Sequence, residues 1–362
     1  MPARGCNRLV PTLTLCAAAV SAGWWCAGAR AQVLVFADVL NPNDPEGNSI
    51  RAVDVGGGNL HTIVSTGGGV RGLDVDPATG YIYWCDADQF AIRRAHMDGT
   101  GQQDLVTSGL AFPSSLRLDL AAGKVYWGDQ TNEEIRRCDL DGASVELVVG
   151  GTPFFRGLAV DHALGRVYWS TSDTASTGRI LRADLDGNNI QAAVPTAGAS
   201  FKPGNIAIDT AGGKMYWTDA VAMRVRRANL DGSGMEDLYG NDFLGTPKGL
   251  VLDLPNGKMY WGMDHYDSDS GGFLFGDIHV ANLDGSEQMS IVSGLGSVND
   301  LALFVGGTCA PDFDGSGDLS VQDIFAFLNA WFVGDPRTDF NHANGIGVQD
   351  IFDFLNAWFA GC

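Results

Sequence analysis

The sequence predicts an all-β six-bladed β-propeller with four-stranded antiparallel blades, followed by a small α-helical, EF-hand-like module. Three observations support this prediction. A Tyr-Trp motif recurs about every 42 to 48 residues, each repeat contains four short strand patterns, and a 27-residue duplication ends the chain. Repeats of this length with several short strands are typical of propeller blades. We therefore expect one domain at residues 32–306 and a second at residues 307–362.

The repeated motif is clearest at Lys214–Asp219, which reads Lys-Met-Tyr-Trp-Thr-Asp. The other copies, the first of them degraded, are Val35–Asp38, Ile82–Asp86, Val125–Asp129, Val167–Thr171 and Met259–Met263. Because side chains alternate between the two faces of a strand, Tyr216 and Trp217 are expected to pack towards different neighbouring blades. Asp219, at the end of the strand, is expected to accept backbone hydrogen bonds from the following turn.

Each repeat is expected to contribute four strands. In the fifth repeat these are Asn205–Asp209, Lys214–Asp219, Val225–Leu230 and Met235–Tyr239. Asp231-Gly232 follows the third strand, and this dipeptide predicts a primed hairpin turn in which both residues have a positive φ. The same order recurs in the other repeats, whereas a solenoid repeat would contain one strand or helices.

The two ends of the repeat array predict how the ring closes. The array begins at Val33–Asp38, a second strand without a first, and it ends at Asn299–Phe304, a first strand without the other three. Pairing of these two segments would complete a sixth blade and leave no open sheet edge. The sequence therefore predicts six blades, one of them built from both ends of the domain.

The units Gly-Leu-x-x-Asp, Gly-Lys-x-Tyr-Trp-x-Asp and Leu-Asp-Gly resemble the class B, or YWTD, repeats of low-density lipoprotein receptors. The resemblance covers roughly residues 32–305 and implies a six-bladed propeller that binds proteins and is not an enzyme. Three repeats depart from the pattern: Phe36-Ala37 stands for Tyr-Trp in the first, Ser170-Thr171 follows Trp in the fourth, and Met263 precedes Asp264 in the sixth. The sequence has no Cys-dense module of the kind that flanks these receptor propellers, so the receptor function is not expected.

Residues 1–31 have the pattern of a cleaved secretory signal peptide. Two Arg precede the apolar stretch Leu9–Gly23, and Ala29-Arg30-Ala31 provides a small-x-small cleavage site. The alternative is a membrane anchor formed by the uncharged run Leu9–Gly28. We expect cleavage and a secreted protein, located outside the cell or at its surface. No later segment is long and apolar enough to predict a membrane span.

The charge balance excludes two classes of partner. Without residues 1–31, which contain three Arg and no acidic residue, the chain has 20 basic and 43 acidic residues and a net charge of −23. Nucleic acids require a cationic face on the protein, and so do anionic lipid surfaces. Neither is therefore expected as a partner.

Four cysteines lie outside residues 1–31. Cys85 and Cys138 fall on strands of different repeats and are expected to be buried free thiols. Cys309 and Cys362 bracket the final module, and an oxidising compartment would allow them to form a disulfide.

The final module contains a duplicated loop-helix unit. In the first loop, residues with side-chain oxygens occupy positions 1, 3, 5, 7, 9 and 12, and Gly317 occupies position 6. This spacing is that of an EF-hand-type calcium loop. The predicted Ca²⁺ ligands are Asp312, Asp314, Ser316, Asp318, Ser320 and Asp323. The alternative is an acidic turn without a metal ion.

The second loop is a poorer match and is expected to bind Ca²⁺ weakly or not at all. Its remaining candidate ligands are Asp339, Asn341 and Asp350, whereas Ala343 stands at the fifth position and Asn344 at the glycine position.

A helix with one apolar, aromatic face follows each loop, and the two faces are expected to pack on each other. The first face comprises Ile324, Phe325, Phe327, Leu328, Trp331 and Phe332, and the second repeats this pattern. The module resembles type I dockerins, most closely the short tails ending in Gly-Cys on secreted bacterial proteins. The resemblance implies a cohesin-like partner or a cell-surface anchor, contacted by Val321, Gln322, Val348 and Gln349.

A partner of the propeller is expected on the face formed by the second-to-third strand connections and the connections between blades. The aromatic candidates there are Phe90, Phe112, Phe154, Phe155, Phe201 and Phe243. The longest insertion, Asp264–Phe273, adds His265, Tyr266 and Phe273. Clustered exposed aromatic residues mark interaction surfaces. The alternative is that these side chains pack beneath the loops.

The sequence favours a non-enzymatic scaffold that binds a protein or glycan through its propeller and is anchored by its tail. It contains neither a zinc-protease motif nor a phosphate-binding loop. The alternative is a propeller enzyme (a hydrolase, lyase or lactonase) acting on polysaccharide or a sugar derivative, because dockerins commonly accompany such enzymes. A lactonase would need carboxylate and amide ligands that converge near the central channel. In a third interpretation the propeller is a spacer.

Overall fold

A computed structural model of the chain describes residues 32–39, 48–172, 178–194, 201–240, 245–267, 270–305, 313, 321–335, 338, 340 and 345–360. The chain divides into two compact units, one at residues 31–307 and one comprising residues 1–30 and 308–362. The predicted signal peptide, Cys309 and Cys362 lie outside the described residues.

The first unit consists of four-stranded antiparallel sheets, six in the described part of the chain, and this confirms the predicted propeller. Blade one contains β24 (Ser297–Val305), β1 (Gln32–Val39), β2 (Ser49–Asp54) and β3 (His61–Ser65). Blade two contains β4 (Val70–Asp76), β5 (Tyr81–Asp86), β6 (Ala91–His96) and β7 (Gln103–Val106). Blade three contains β8 (Pro113–Asp119), β9 (Lys124–Asp129), β10 (Glu134–Asp139) and β11 (Glu146–Gly150).

The remaining blades follow the same order along the chain. Blade four contains β12 (Phe155–Asp161), β13 (Arg166–Ser172), β14 (Gly178–Asp184) and β15 (Gln191–Val194). Blade five contains β16 (Pro203–Asp209), β17 (Lys214–Asp219), β18 (Arg224–Asn229) and β19 (Glu236–Tyr239). Blade six contains β20 (Gly245–Asp253), β21 (Lys258–Tyr266), β22 (Phe273–Asn282) and β23 (Met289–Leu295).

The ring closes through blade one, as the sequence predicts. β24 is the innermost strand of this blade and pairs with β1, so that Leu301 lies opposite Phe36 and Ala302 lies opposite Val35. Strands from both ends of the domain therefore share one sheet, and neither is left as an open edge at the join.

The Asp-Gly turns differ from the prediction. After β18, the Gly232 N–H donates to Asn229 O at 2.8 Å, and Gly232 has a φ of +82°. Asp231 is not among the residues with positive φ, and its Oδ1 accepts the Ser233 N–H at 2.9 Å. The prediction of a primed turn with two positive φ values is therefore wrong. Gly232 alone needs the left-handed region, which the missing Cβ makes accessible.

The Tyr-Trp motif joins neighbouring blades. Four buried clusters combine the Tyr of one blade with the Trp of the next: Tyr83 with Trp127, Tyr126 with Trp169, Tyr168 with Trp217, and Tyr216 with Trp261. In blade one, Phe36 packs with Tyr260 and Val35 packs with Trp84. Val35 and Phe36, and not Phe36 and Ala37, therefore occupy the Tyr and Trp positions, which corrects the sequence alignment of the first copy.

The Gly of the Gly-Leu unit allows the innermost strands to approach closely. A Cβ on Gly157 would lie 2.2 Å from Gly204 O of the next blade, and one on Gly249 would lie 2.6 Å from Asp300 Cα. Both distances are far below van der Waals contact. The narrow centre of the ring thus requires the absence of a side chain at these positions.

Cys85 and Cys138 are buried free thiols, as predicted, and both belong to the cluster between blades two and three. Burial raises the pKa of the Cys138 thiol to about 12 and that of Cys85 well above its usual range. No helix among the described residues is long and apolar enough to cross a membrane.

The second unit contains α1 (Val321–Phe332) and α2 (Val348–Ala360). Phe327 stacks on Phe354 with ring centroids 4.1 Å apart, and Trp331 Nε1 donates to Gly347 O at 3.0 Å. The two helices therefore pack on each other through part of their predicted apolar faces. Phe325, Phe332 and Phe352 are 62%, 75% and 56% exposed, which corrects the expectation that the whole stripes pack together.

Candidate interaction surface

The connections between the second and third strands of a blade lie on the same side of the ring as the connections between blades. This follows from the antiparallel order of the strands. We call this side the loop face. In blade three the Asp129 carboxylate binds both kinds of connection: it accepts Ala111 N–H and Phe112 N–H at 2.7 and 3.0 Å, and Thr131 N–H and Asn132 N–H at 3.1 and 2.9 Å.

Asp219 has the same role in blade five. Its fully buried carboxylate accepts Lys202 N–H at 3.2 Å and Ala222 N–H at 3.0 Å, and Arg226 Nη1 donates to it at 2.9 Å. The prediction that the motif aspartate accepts backbone hydrogen bonds at the turn is confirmed. These carboxylates hold the loop face in shape, and they are not available to a ligand.

Two of the predicted aromatic residues project from the loop face. Phe90 is 49% exposed and Phe154 is 56% exposed, and each has a φ of +52°. This left-handed backbone is uncommon for residues other than Gly, Asn and Asp. Phe112 is partly buried, and the Arg71 guanidinium lies 5.5 Å from its ring centroid in a cation–π contact.

Two other predicted aromatic residues belong to the core. Phe155 and Phe201 are fully buried, so their assignment to a partner-binding surface is wrong. The Phe155 ring occupies the space that a Cβ on Gly128 would need, at 2.1 Å, and Phe201 packs edge-on against Trp217 at 6.0 Å. Phe243 lies outside the described residues.

Basic residues stand at the loop-face ends of three innermost strands, a feature that the sequence did not predict. Arg71, Arg156 and Lys248 occupy equivalent positions at the start of three innermost strands. Lys248 pairs with Asp264 at 3.3 Å, but among the described residues neither Arg71 nor Arg156 has a carboxylate partner. Partial burial lowers the pKa of Lys202, and the Arg156 charge lowers it further. Arg71 and Arg156 are therefore two cations of the loop face without a carboxylate partner among the described residues.

The longest insertion is an extension of the β21–β22 hairpin. Tyr266 packs edge-on against Phe273 at 6.2 Å, and both are partly buried. His265 stacks on Phe275 at 4.6 Å. Leu274 and Phe275, which the sequence reading did not select, are 50% and 37% exposed at the hairpin end. The extension therefore adds apolar surface on the loop-face side of blade six.

The central channel, with a volume of about 240 Å³, is lined by Asp74, Arg117 and apolar side chains of the innermost strands. The guanidinium of Arg117 donates to both oxygens of Asp300 at 2.8 and 3.2 Å and to Asn205 Oδ1 at 2.6 Å. Burial acts to lower the pKa of Arg117, but the Asp300 charge raises it above its usual value. Burial raises the pKa of Asp74 despite the opposing effect of Arg117.

The channel carboxylates are engaged within the scaffold. Asp74 accepts Val75 N–H and Leu118 N–H, both at 2.9 Å, and Asp300 also accepts Leu73 N–H at 3.1 Å. Each of these bonds joins parts of the innermost strands. This arrangement is a buried ion-pair network, and it differs from the open carboxylate and amide set that a lactonase metal site would need.

In the tail, Val321 and Val348 are 53% and 59% exposed, and Gln322 and Gln349 are also exposed. Among the predicted calcium ligands, Asp323 and Asp350 lie in the first turns of α1 and α2 and are buried. The other predicted ligands lie outside the described residues: Asp312, Asp314, Ser316, Asp318, Ser320, Asp339 and Asn341.

No model of a known protein family matches the chain. The chain is 30% identical over 184 residues to the human low-density lipoprotein receptor-related protein 5-like protein, covering 51% of this chain and 54% of that one. It is 36% identical over 102 residues to the low-density lipoprotein receptor-related protein 1 of Pyricularia oryzae, covering 25% of this chain and 33% of that one. The chain thus spans about half and a third of the length of these curated relatives.

Solved structures show the same fold at low identity. A chain from a crystal structure of a nidogen/laminin complex superimposes with a TM-score of 0.62 at 17% identity, covering 76% of this chain and 99% of that chain. TolB from Acinetobacter baumannii gives a TM-score of 0.60 at 13% identity, covering 76% and 67%. The chain therefore contains a six-bladed propeller that is similar to the YWTD propellers of low-density lipoprotein receptor-related proteins.

Proposed function

We propose that the protein is a secreted, non-enzymatic binding protein whose loop face recognises a segment of an extracellular protein and whose tail anchors it. The observation that carries this proposal is the composition of the loop face. Exposed Phe90 and Phe154 lie on the same side of the ring as Arg71 and Arg156, in a chain of net charge −20. The similarity to receptor-related propellers, and to a chain from a nidogen/laminin complex, supports protein binding.

The chemistry of the loop face defines the kind of partner. Aromatic and Arg side chains contribute most of the binding energy at protein interfaces. Complementary charge steers association and fixes register, so a cationic patch on an acidic protein favours an acidic segment. The expected ligand is therefore a protein segment that combines carboxylates with apolar side chains.

Selection from a displayed random-peptide library on the purified chain tests this proposal. The enriched peptides should be acidic and apolar, and their affinity should fall as NaCl is raised. Phe90→Asn/Phe154→Asn and Arg71→Gln/Arg156→Gln should each weaken binding about 10-fold or more, a loss of about 1.4 kcal/mol. Asn is the chosen replacement for Phe because it tolerates the left-handed backbone.

The matched control is Leu120→Ser/Leu164→Ser. These residues are 42% and 46% exposed on the turns between first and second strands, on the opposite side of the ring. Equal losses in this control, or undiminished binding by the Phe variant, would leave the propeller as a spacer. Binding of an oligouronate in place of any peptide would identify the partner as a glycan.

We propose that the tail is an anchoring module, stabilised by Ca²⁺ in its first loop, for a cohesin-like protein or another cell-surface anchor. Val321 and Phe325 are exposed in α1, and their duplicates Val348 and Phe352 are exposed in α2. The module therefore presents the same small apolar patch twice. Asp323, at the last position of the first loop, is buried in the first turn of α1, and the spacing of oxygen-bearing residues in this loop supports a Ca²⁺ site.

Calcium titration of the full chain by calorimetry tests the tail. Asp312→Asn should abolish the strongest site, whereas the equivalent change in the second loop, Asp339→Asn, should leave it nearly unchanged. In a pull-down from cell-surface extract, Val321→Asp/Val348→Asp and chelator should each reduce recovery of the partner. Recovery that ignores chelator, together with no bound calcium, would overturn the anchoring proposal.

Secretion is part of the same proposal, and its test is the N-terminus of the exported protein. Cleavage after Ala31 would leave Gln32 as the first residue, which is also the first residue of β1. Mass spectrometry of the culture supernatant and surface fraction should find a chain that begins at Gln32. A chain that keeps residues 1–31 would indicate a membrane anchor.

A further inference from the structure

Blade six contains a side-chain cluster that the repeat motif does not explain. His265 lies on β21, and Asp277 and His279 lie on β22. In the hairpin register, Met263 is opposite Asp277 and Trp261 is opposite His279. Because every second residue of a strand shares a face, this register brings His265, Asp277 and His279 to the same face of the sheet.

The cluster leaves buried polar atoms without partners. The Nε2 atoms of His265 and His279 lie 3.1 and 3.0 Å from the same oxygen, Asp277 Oδ2. Asp277 is 5% exposed, and within the described residues its Oδ1 has no hydrogen-bond partner. His265 Nε2 is close to Asp277 Oδ2, but this contact does not have hydrogen-bond geometry. Unpaired buried polar atoms are costly. One carboxylate facing two imidazoles therefore has capacity for a cation.

Other blades use the equivalent positions for a structural ion pair. In blades one, two and five the residue opposite the Phe or Trp of the motif is Arg51, Arg93 or Arg226. Each of these Arg side chains pairs with the aspartate that ends its own motif. In blade six, His279 stands at the Arg position and Met263 at the Asp position. At the positions of the Arg–Asp ion pair of these blades, blade six therefore has a His and a Met, and a carboxylate lies between two imidazoles.

We propose that His265, Asp277 and His279 form a binding site for a divalent transition-metal ion, for which Zn²⁺ is the probe. The three ligand atoms lie within 4.8 Å of one another. In a tetrahedral site with bonds of about 2.0–2.1 Å to N and O, ligand atoms are roughly 3.3 Å apart. The two short N–O separations of 3.0 and 3.1 Å are close to that value.

The donor set and its surroundings define the kind of ion. Imidazole nitrogens favour zinc, copper, iron or nickel, whereas calcium and magnesium prefer oxygen ligands. His265 stacks on Phe275 at 4.6 Å and His279 stacks on Trp261 at 5.4 Å, which fixes both rings. The His265 side chain is 23% exposed, so the cluster lies next to solvent. The proposed site has three protein ligands.

Cobalt and zinc titrations of the chelator-stripped full chain test the proposal. Excess Ca²⁺ keeps the oxygen-liganded tail loops occupied, so that any remaining site is the one in blade six. We expect one Co²⁺ per chain with visible absorption bands of a nitrogen-ligated ion, and displacement of that ion by Zn²⁺. His279→Gln and His265→Gln should each weaken binding at least about 10- to 100-fold, the range seen even for outer partners of metal ligands.

The matched control is His162→Gln, because His162 Nδ1 also lies 3.0 Å from a buried carboxylate, that of Asp119, but has no second imidazole. This variant should bind Co²⁺ as the original chain does. Absence of the absorption bands in the original chain would overturn the proposal, and so would equal binding by His279→Gln and His265→Gln. Circular dichroism of the metal-free variants checks that they are folded.

Discussion

Blade five and blade six share four strands and a buried Tyr-Trp pair, but their second strands end differently. In blade five, every hydrogen bond of Asp219 joins parts of the scaffold: two loop connections and Arg226. In blade six, Met263 stands at that position, and Asp277 has an oxygen without a partner among the described residues. Faithful copies of the motif therefore stabilise the fold. A binding site is expected where a blade departs from the motif.

Removal of the Asp219 carboxylate in blade five is expected to have the largest effect on stability. Asp219→Ala removes the buried carboxylate that accepts three loop N–H groups and one nitrogen of the Arg226 guanidinium. We expect the free energy of unfolding to fall by about 3–5 kcal/mol, the usual cost of breaking a buried ion pair from one side. Urea unfolding at pH 7 measures it.

Asp237 provides the control, because it binds the same guanidinium from the surface. Arg226 Nε donates to Asp237 Oδ1 at 2.8 Å, and the Asp237 side chain is 43% exposed. Asp237→Ala should cost less than about 1 kcal/mol, as exposed ion pairs do. Similar losses for the two variants would show that the motif carboxylate has no special place in the scaffold.

Two adjacent residues at the start of blade four differ strongly in burial. Phe155 is fully buried against Gly128, and Phe154 is 56% exposed. Phe155→Ala should destabilise the propeller by about 3 kcal/mol, at the lower end of the range for a buried aromatic side chain. Phe154→Asn should change stability by no more than about 0.5 kcal/mol. Thermal and urea unfolding of both variants measure these changes. Equal losses of stability would contradict the assignment of Phe155 to the core and Phe154 to the surface.

The blade pattern was predictable from the sequence because its determinants are local. The recurring Lys-Met-Tyr-Trp-Thr-Asp motif at Lys214–Asp219 coincides with the second strand, and the flanking turn residues place its neighbours. Burial of Phe155 was not predictable in the same way. The space that it fills is left by Gly128, 27 positions earlier and on another blade, so only the packing of two blades reveals it.

The histidine cluster shows the same limit for a site. Asp277 and His279 alternate along one strand, which is a visible sequence signal for a shared face. His265 joins them only through the hairpin register, and that register depends on an extension of β21 and β22 that appeared in the sequence as a loop insertion. A three-residue site assembled across strands therefore requires the pairing to be known.

The glycine of the Gly-Leu unit tests how tightly the innermost strands are packed. Gly157→Ala would place a Cβ 2.2 Å from Gly204 O of the adjacent blade, and the backbone cannot move away without separating the blades. The expected loss of stability is about 1–3 kcal/mol, as for other overpacked cores. Gly150→Ala, where nothing lies within 4 Å, should be close to neutral in the same urea experiment. A neutral Gly157→Ala would mean that the ring centre is loosely packed.

The smallest expected effect on stability concerns Cys138, a core position whose residue type differs among the blades. Cys138 stands where blades five and six have Ala228 and Ala281. Burial raises the pKa of its thiol from 9.0 to about 12. Well below pH 9 the thiol is protonated in both the folded and the unfolded state, so it adds no pH dependence there. Between pH 9 and 12 the unfolded chain releases this proton first, and stability falls as pH rises.

The measurement is the difference in unfolding free energy between the original chain and Cys138→Ala, followed from pH 8 to pH 10. Lysine and tyrosine titrations are common to both chains and cancel in this difference. At pH 10 the original chain should have lost on the order of 1 kcal/mol relative to Cys138→Ala. A difference that stays constant with pH would mean that the thiol ionises as readily in the folded blade as in the unfolded chain, and that the interface between blades two and three admits water.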